Sequence, residues 1–401
     1  MTNDNNMTTP ELIQSYHQFA ELGYADAASI LGDCYRNGTG VACNLSEAVK
    51  WYRIAAELGD VSARRNLAGL YLAGIGVERN PEAAVKWYRL VSELGIDGAI
   101  HNRIDLQSKR VGPRFRDMVP DGLNDKEFRQ NVEDAACLSM NQLGECFQLG
   151  DGVNRDFAAA VSWYQKSADL GNRHAMVNLG ACYLNGIGVN EDCSEALMWY
   201  RRAAKHGDSQ AINVLGCLYE NGRGVTQDLA EAVKFFREAA ELGNASAMSN
   251  LGSCYTFGNG VEKDIRRAIF WDRQAAELGI LAAMCRLGIC FEYEGNVQDF
   301  AEAEKWNRKA AETGDPVALC NLGAFYCRGG GGVPNFIEAE GWYRRAAEIG
   351  DATAMFYLAT LYEDGTFNEN GLGVEQDSDE AWKWYRRAAD LGYADAISKI
   401  A

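Results

Sequence analysis

Positive charge is scarce in this chain: 39 Lys+Arg face 56 Asp+Glu, for a formal charge of −17. Such a balance repels nucleic acid and anionic membrane surfaces and favours basic partners. Histidine is nearly missing, with only His17, His101, His174 and His206, all far apart. None of the twelve cysteines forms a Cys-x-x-Cys pair, so no zinc spacing can be read. No apolar run approaches membrane-spanning length, which predicts no membrane insertion. Met1 to Asn6 carry neither a basic start nor an apolar core, so the expectation is a cytoplasmic protein without a signal peptide. A secreted or periplasmic place stays open if that start is a trimmed one. No Ser/His/Asp arrangement, no nucleophile beside a base and no isolated acid pair occurs. The expectation is therefore no catalytic residue, no metal ligand and no cofactor, with His174 and His206 as surface residues.

What is present is an internal period. Trp51, Trp87, Trp163, Trp199, Phe235, Trp271, Trp306, Trp342 and Trp384 follow one another at intervals of 36, 76, 36, 36, 36, 35, 36 and 42, the 76 hiding one degenerate unit. A period near 36 that fills the chain signals a stacked array. Each unit reads as two helices. The first carries Ala-x-x-x-Leu-Gly-x-x-Tyr, as in Ala175, Leu179, Gly180 and Tyr183, whose spacing places them on one face. The second carries Ala196, Trp199, Tyr200, Ala203 and Ala204. Small residues let helix backbones approach, and aromatics fill the gaps. Cys34, Cys146, Cys182, Cys254 and Cys290 share one place before an aromatic and read as small packing residues.

The loop Gly186-Ile187-Gly188-Val189 looks at first like a phosphate loop followed by acidic metal ligands. A phosphate loop needs a strand before it and a lysine after it, whereas here a helix precedes and the motif recurs. Asn44, Asn80, Asp156, Asp192, Asp228, Asp264, Asp299, Asn335 and Asp377 each stand four residues before the helix alanine, as N-caps do. Glu47, Glu195, Glu231, Glu302, Glu338 and Glu380 follow three residues on and predict capping boxes. Pro81 fits the first helical position. Gly186 and a terminal glycine such as Gly207 predict helix stops, and Val189 with its counterparts is expected to be a buried staple.

These motifs together resemble the Sel1-like repeat family, related to tetratricopeptide repeats, from about residue 11 to the end. The resemblance implies an all-α, right-handed superhelical solenoid of about ten stacked helix-turn-helix repeats, whose first helices line a concave face. It also implies a protein-binding scaffold. One branch of the family is secreted and joined by disulfides; Ala203, Ala204 and Ala211 stand where that branch places cysteines.

The expected organisation is a capping helix at 8–23, two regular repeats over 24–95, a degenerate repeat over 96–139, seven regular repeats over 140–392 and a partial helix at 393–401. The degenerate unit contains Arg103, Lys109, Arg110, Arg114 and Arg116 against Asp105, a basic island that reads as a decayed repeat or as a contact for an acidic partner. A six-residue enlargement at Thr366 to Leu372 reads as a surface loop. Variable first-helix positions nominate a groove of Arg65, Asn213, Glu220, Phe257, Glu292, Tyr293, Phe356 and Glu363, suited to a basic or aliphatic peptide. The leading functional expectation is a monomeric scaffold or adaptor binding a protein or peptide. An inhibitor or immunity-type binder of one toxin or host protein is the alternative, and a hydrolytic enzyme the third.

Overall fold

A computed structural model of the chain describes residues 9–93, 125–295, 297–365 and 373–401. Arg103, Lys109, Arg110, Arg114, Arg116 and the 366–372 loop lie outside the described residues. The described chain is helical and divides into two compact units, Met1–Ala211 and Ile212–Ala401.

The first unit holds the helices Thr9–Glu21, Ala25–Asn37, Leu45–Glu57, Val61–Ala73, a helical run over 81–93, then Asp125–Leu149, Phe157–Asp169, Arg173–Asn185 and Cys193–Lys205. The second begins within Ser209–Asn221 and continues with Leu229–Glu241, Ala245–Phe257, Ile265–Glu277, Leu281–Tyr293, Phe300–Ala311, Pro316–Cys327, Phe336–Glu348, Ala352–Asp364, Ser378–Asp390 and Ala394–Ile400. Within each unit, a first helix packs on the second helix of its own repeat, and that helix packs on the first helix of the next. Asp125–Leu149 is one unbroken helix, so the turn that separates repeats elsewhere is absent there.

The packing unit is a ring laid on a glycine. A Cβ on Gly32 would fall 2.5 Å from the Tyr52 ring, one on Gly216 2.6 Å from Phe236, and one on Gly323 2.8 Å from Tyr343. These rings are almost completely buried, as are Leu31, Leu67, Leu179, Leu215 and Leu251 beside them. Deleting such a ring removes its transfer energy and leaves a cavity, a loss of roughly 3–5 kcal/mol. The five packing cysteines are buried as expected.

The loops behave as helix punctuation. Asp192 accepts from the amides of Ser194 at 2.9 Å and Glu195 at 3.1 Å, and the equivalent cap bonds form at Asn44, Asn80, Asp156, Asp228, Asp264, Asp299, Asn335 and Asp377. The capping boxes are only half made. The N-cap amide, which the glutamate was expected to receive, donates to a carbonyl of the preceding first helix: Asp192 to Tyr183 at 2.9 Å, Asn44 to Tyr35 at 2.8 Å. That bond clips the loop shut. Glu47, Glu231, Glu302, Glu338 and Glu380 instead accept from a lysine or the helix tryptophan, as Glu302 does from Lys305 at 2.8 Å and Trp306 Nε1 at 3.1 Å.

Gly186 ends its helix in the left-handed region at φ 66°, and its amide donates to the Cys182 carbonyl. The second loop glycine, Gly188, also has positive φ, and a further reason for glycine there was not revealed by the sequence. A side chain on Gly188 would strike the Phe157 carbonyl at the start of the previous second helix. The valine staple needs correction: Val189 and most counterparts are half-buried, Val333 is exposed, and only Val374 is fully enclosed. The loop lies at the array surface, where one face of the valine packs and the other meets solvent.

Asp60 caps Val61–Ala73, accepting from Ala63 N at 2.5 Å and Ser29 Oγ at 3.2 Å. Burial, reinforced by Asp26 and Asp33, pushes its carboxyl up to about 6.

Two outcomes follow from these contacts. Gly171 has φ 93° and open space within 4 Å of where a Cβ would stand, whereas Gly76 has φ 71° with the Leu45 carbonyl 2.5 Å from that position. Gly171→Ala is expected to cost about 1–2 kcal/mol for the backbone alone. Gly76→Ala should lose at least about twice that in denaturant titrations, because a neighbouring backbone must also move. For Asp60, a raised folded-state pKa means that stability is full in acid and is lost as pH rises through about 6. Asp60→Asn keeps the cap acceptor and should be more stable than wild type above about pH 7, the gap closing toward pH 4 in thermal melts.

Candidate functional site

Along the first helices of a unit, side chains three residues before the glycine position and just after the aromatic form a row. Polar bonds run along it from repeat to repeat. Asn178 Nδ2 donates to Asn141 Oδ1 at 3.1 Å in the first unit, and Asn250 Nδ2 to Asn213 Oδ1 at 3.0 Å in the second. Nominated residues are thus partly consumed by the framework. Asn213 is buried in this ladder, and half-buried Arg65 donates to neighbouring Asn66 at 3.1 Å. Phe356 is half-buried among Tyr357, Tyr385 and Tyr393, with ring centroids 5.8, 5.5 and 5.2 Å away. It holds the final repeats together and is no free contact.

The three nominated acids differ. Glu292 is 6% exposed and is gripped by Arg328 through two bonds of 2.7 and 3.0 Å, while Arg328 also lies 5.5 Å over the Tyr293 ring. Glu363 accepts from Lys399 Nζ and from Tyr385 Oη, each at 2.6 Å. Those donors hold its carboxyl below the ordinary range. Glu220 has no such donor among the described residues, and partial burial pushes its carboxyl up. Large apolar surface concentrates nearby: Phe257 is 67% exposed and Tyr293 58%, on consecutive first helices.

The sequence reading missed one feature, although the aligned repeats carry its signal. The second-helix ring is replaced by Asp272 in one repeat and by Asn307 in the next. Asp272 has no exposed surface, and it binds Arg286 from the following first helix at 2.6 and 2.8 Å. Arg286 also donates to Ser249 Oγ at 3.0 Å and to the Ser249 carbonyl at 2.6 Å. The Asp272 carboxylate faces Gly252, where a ring lies against glycine in other repeats. Burial pushes the Asp272 carboxyl up while Arg286 pulls it down, burial being the larger effect.

The acid nearest a histidine is drawn into helix capping. His174 Nδ1 lies 3.7 Å from Asp208 Oδ2, but Asp208 Oδ1 caps Ala211 N at 2.9 Å. Among the described residues no three His, Cys, Asp or Glu converge as a metal site, and no helix is long and apolar enough to cross a membrane.

This is the geometry of repeats that present a surface, and the family comparison agrees. The Sel1 repeat model matches residues 25–60, 61–96, 137–172, 173–208, 209–244, 245–280, 281–315, 316–351 and 352–393. The chain is a Sel1 repeat protein. Its fold is similar to that of a protective antigen of uropathogenic Escherichia coli strains with an SLR fold, at 31% identity and a TM-score of 0.59, over 99% of this chain and 83% of that one. It is also similar to a Sel1 repeat protein of Oxalobacter formigenes, at 26% identity and a TM-score of 0.58, over 89% of this chain and 94% of that one. No curated protein matches the chain. Sel1 repeat proteins mediate protein–protein interaction and are typically non-enzymatic binding scaffolds.

The Asp272–Arg286 pair supplies a test of how this row is built. Arg286→Met strands a buried carboxylate and is expected to cost about 3–5 kcal/mol. Asp272→Tyr combined with Arg286→Asn restores the ring and asparagine found in other repeats and should recover most of that loss in denaturant titrations. Full additivity of the two changes would show that the residues do not act as a pair.

Proposed function

We propose that this Sel1 repeat protein is a non-enzymatic scaffold or adaptor, working as a monomer in the cytoplasm, that holds a partner protein or peptide on the first-helix row of the 212–401 unit. The observation that carries this reading is the exposure of the Phe257 and Tyr293 rings on consecutive first helices, with Ile289 exposed one turn before Tyr293. Rings on a preordered frame lose little entropy on binding, and Tyr and other aromatics dominate binding hot spots. The net charge of −17 favours a partner of basic character.

The test is affinity capture from an extract of the source cells, with wild type and Phe257→Ala/Tyr293→Ala as baits. Wild type is expected to retain a stoichiometric partner, and the variant to lose at least about tenfold of it with an unchanged helical melt. Equal capture by both baits would move the contact off this row. A collapsed melt would reassign the rings to the core.

A further inference from the structure

Glu220, Glu292 and Glu363 occupy one register, each directly after the aromatic of its first helix. The chain answers two of them internally. Two kinds of donor do so: a tyrosine hydroxyl from the second helix of the same repeat, and a cation from the following repeat. Tyr385 and Lys399 serve Glu363, and Arg328 serves Glu292. The tyrosine donor recurs in the first unit, where Tyr164 Oη reaches Gln148 at 2.7 Å.

At Glu220 both donors have been substituted away. The second-helix ring is Phe236, buried and without a hydroxyl. In the next first helix, Thr256 spends its hydroxyl on the Gly252 carbonyl at 2.9 Å. Asn250, which could also approach, gives its Nδ2 to Asn213 at 3.0 Å and to Cys217 Sγ at 3.7 Å. The position equivalent to Arg328, which answers Glu292, is here Phe257. An exposed aromatic face therefore stands where the array elsewhere supplies the guanidinium. Position for position, Glu220 and Phe257 correspond to Glu292 and Arg328, which are in contact, so both features belong to one stretch of surface.

We propose that Glu220 and Phe257 form a receptor for an arginine side chain of an extended, basic and apolar peptide segment of the partner protein. The carboxylate takes the guanidinium through charge-assisted bonds while the phenyl face covers its flat side. Arg328, bound to Glu292 and lying over Tyr293, shows a guanidinium held by a carboxylate and a ring within the chain, the ring there following the carboxylate on one helix instead of coming from the next repeat. Arginine is preferred to lysine because a planar fork can grip a carboxylate and stack at once. This inference rests on the scaffold reading and names the chemistry of its partner.

The experiment uses the full chain and a fluorescein-labelled synthetic peptide of alternating arginine and leucine, followed by fluorescence anisotropy. Versions with lysine or glutamate in place of arginine serve as comparisons. The arginine peptide should bind wild type, the lysine peptide several-fold more weakly, and the glutamate peptide not at all. Glu220→Gln should weaken arginine-peptide binding by about tenfold or more, while Glu363→Gln, whose carboxylate is already occupied, stays within about twofold. Phe257→Arg supplies the missing internal cation; it should abolish binding while the thermal midpoint holds or rises. Absence of arginine-peptide binding to wild type, or equal losses in Glu220→Gln and Glu363→Gln, would overturn the receptor. The second result would mean undirected attraction to an acidic surface. Neither touches the scaffold reading, which stands or falls on capture by the Phe257→Ala/Tyr293→Ala bait.

Discussion

The commonest joint in the two units is a ring resting on a residue without a side chain. Gly32, Gly144, Gly180, Gly216 and Gly323 let a second-helix aromatic lie against backbone, and the distance between those two helices follows from the thickness of the ring. Small alanines at Ala203, Ala239 and Ala275 allow the next helix to close on the other side. Because the contact is local in sequence, one repeat is built with little reference to distant ones, and the array extends by repetition. The polar row on the first helices is a by-product of this geometry. Positions that do not face a ring are free to vary, and the surface character of the chain resides in them.

The parts of this arrangement that are set within one repeat could be read from the residues. N-cap side chains and left-handed glycines answer to neighbours a few residues away, and ring positions to a glycine on the other helix of the same repeat. The capping boxes show where such reading stops. Glu195 had the right spacing from Asp192, but the amide it was to receive is claimed by the Tyr183 carbonyl, and only the closed loop reveals that competitor. The second loop glycine is a further case: the Phe157 carbonyl that forbids a side chain there belongs to the preceding repeat.

The candidate site was less legible for the same reason. Its residues were nominated from their register alone, whereas their availability depends on partners a full repeat away. Glu292 and Glu220 look alike in the sequence, and Arg328 separates them by burying one in an ion pair. Phe257 and Phe356 occupy different positions on that row; one stands in solvent and the other is enclosed by tyrosines. Aligning the repeats column by column does expose the exceptions. Asp272 and Asn307 stand in a column of rings, and Phe236 lacks the hydroxyl its tyrosine counterparts carry.

The Asp272–Arg286 exchange has a consequence for how the second unit comes apart. A repeat array behaves as a line of links, each holding only its neighbours. Most links here are hydrophobic and indifferent to salt. The link at Asp272 is ionic, and the following one, at Asn307, has an amide where a ring would be. Desolvating the ions offsets much of their attraction, so this pair of links is weaker than those on either side. Opening is therefore expected to start in the interior of the unit as well as at its ends, at a seam located by composition and not by any loop.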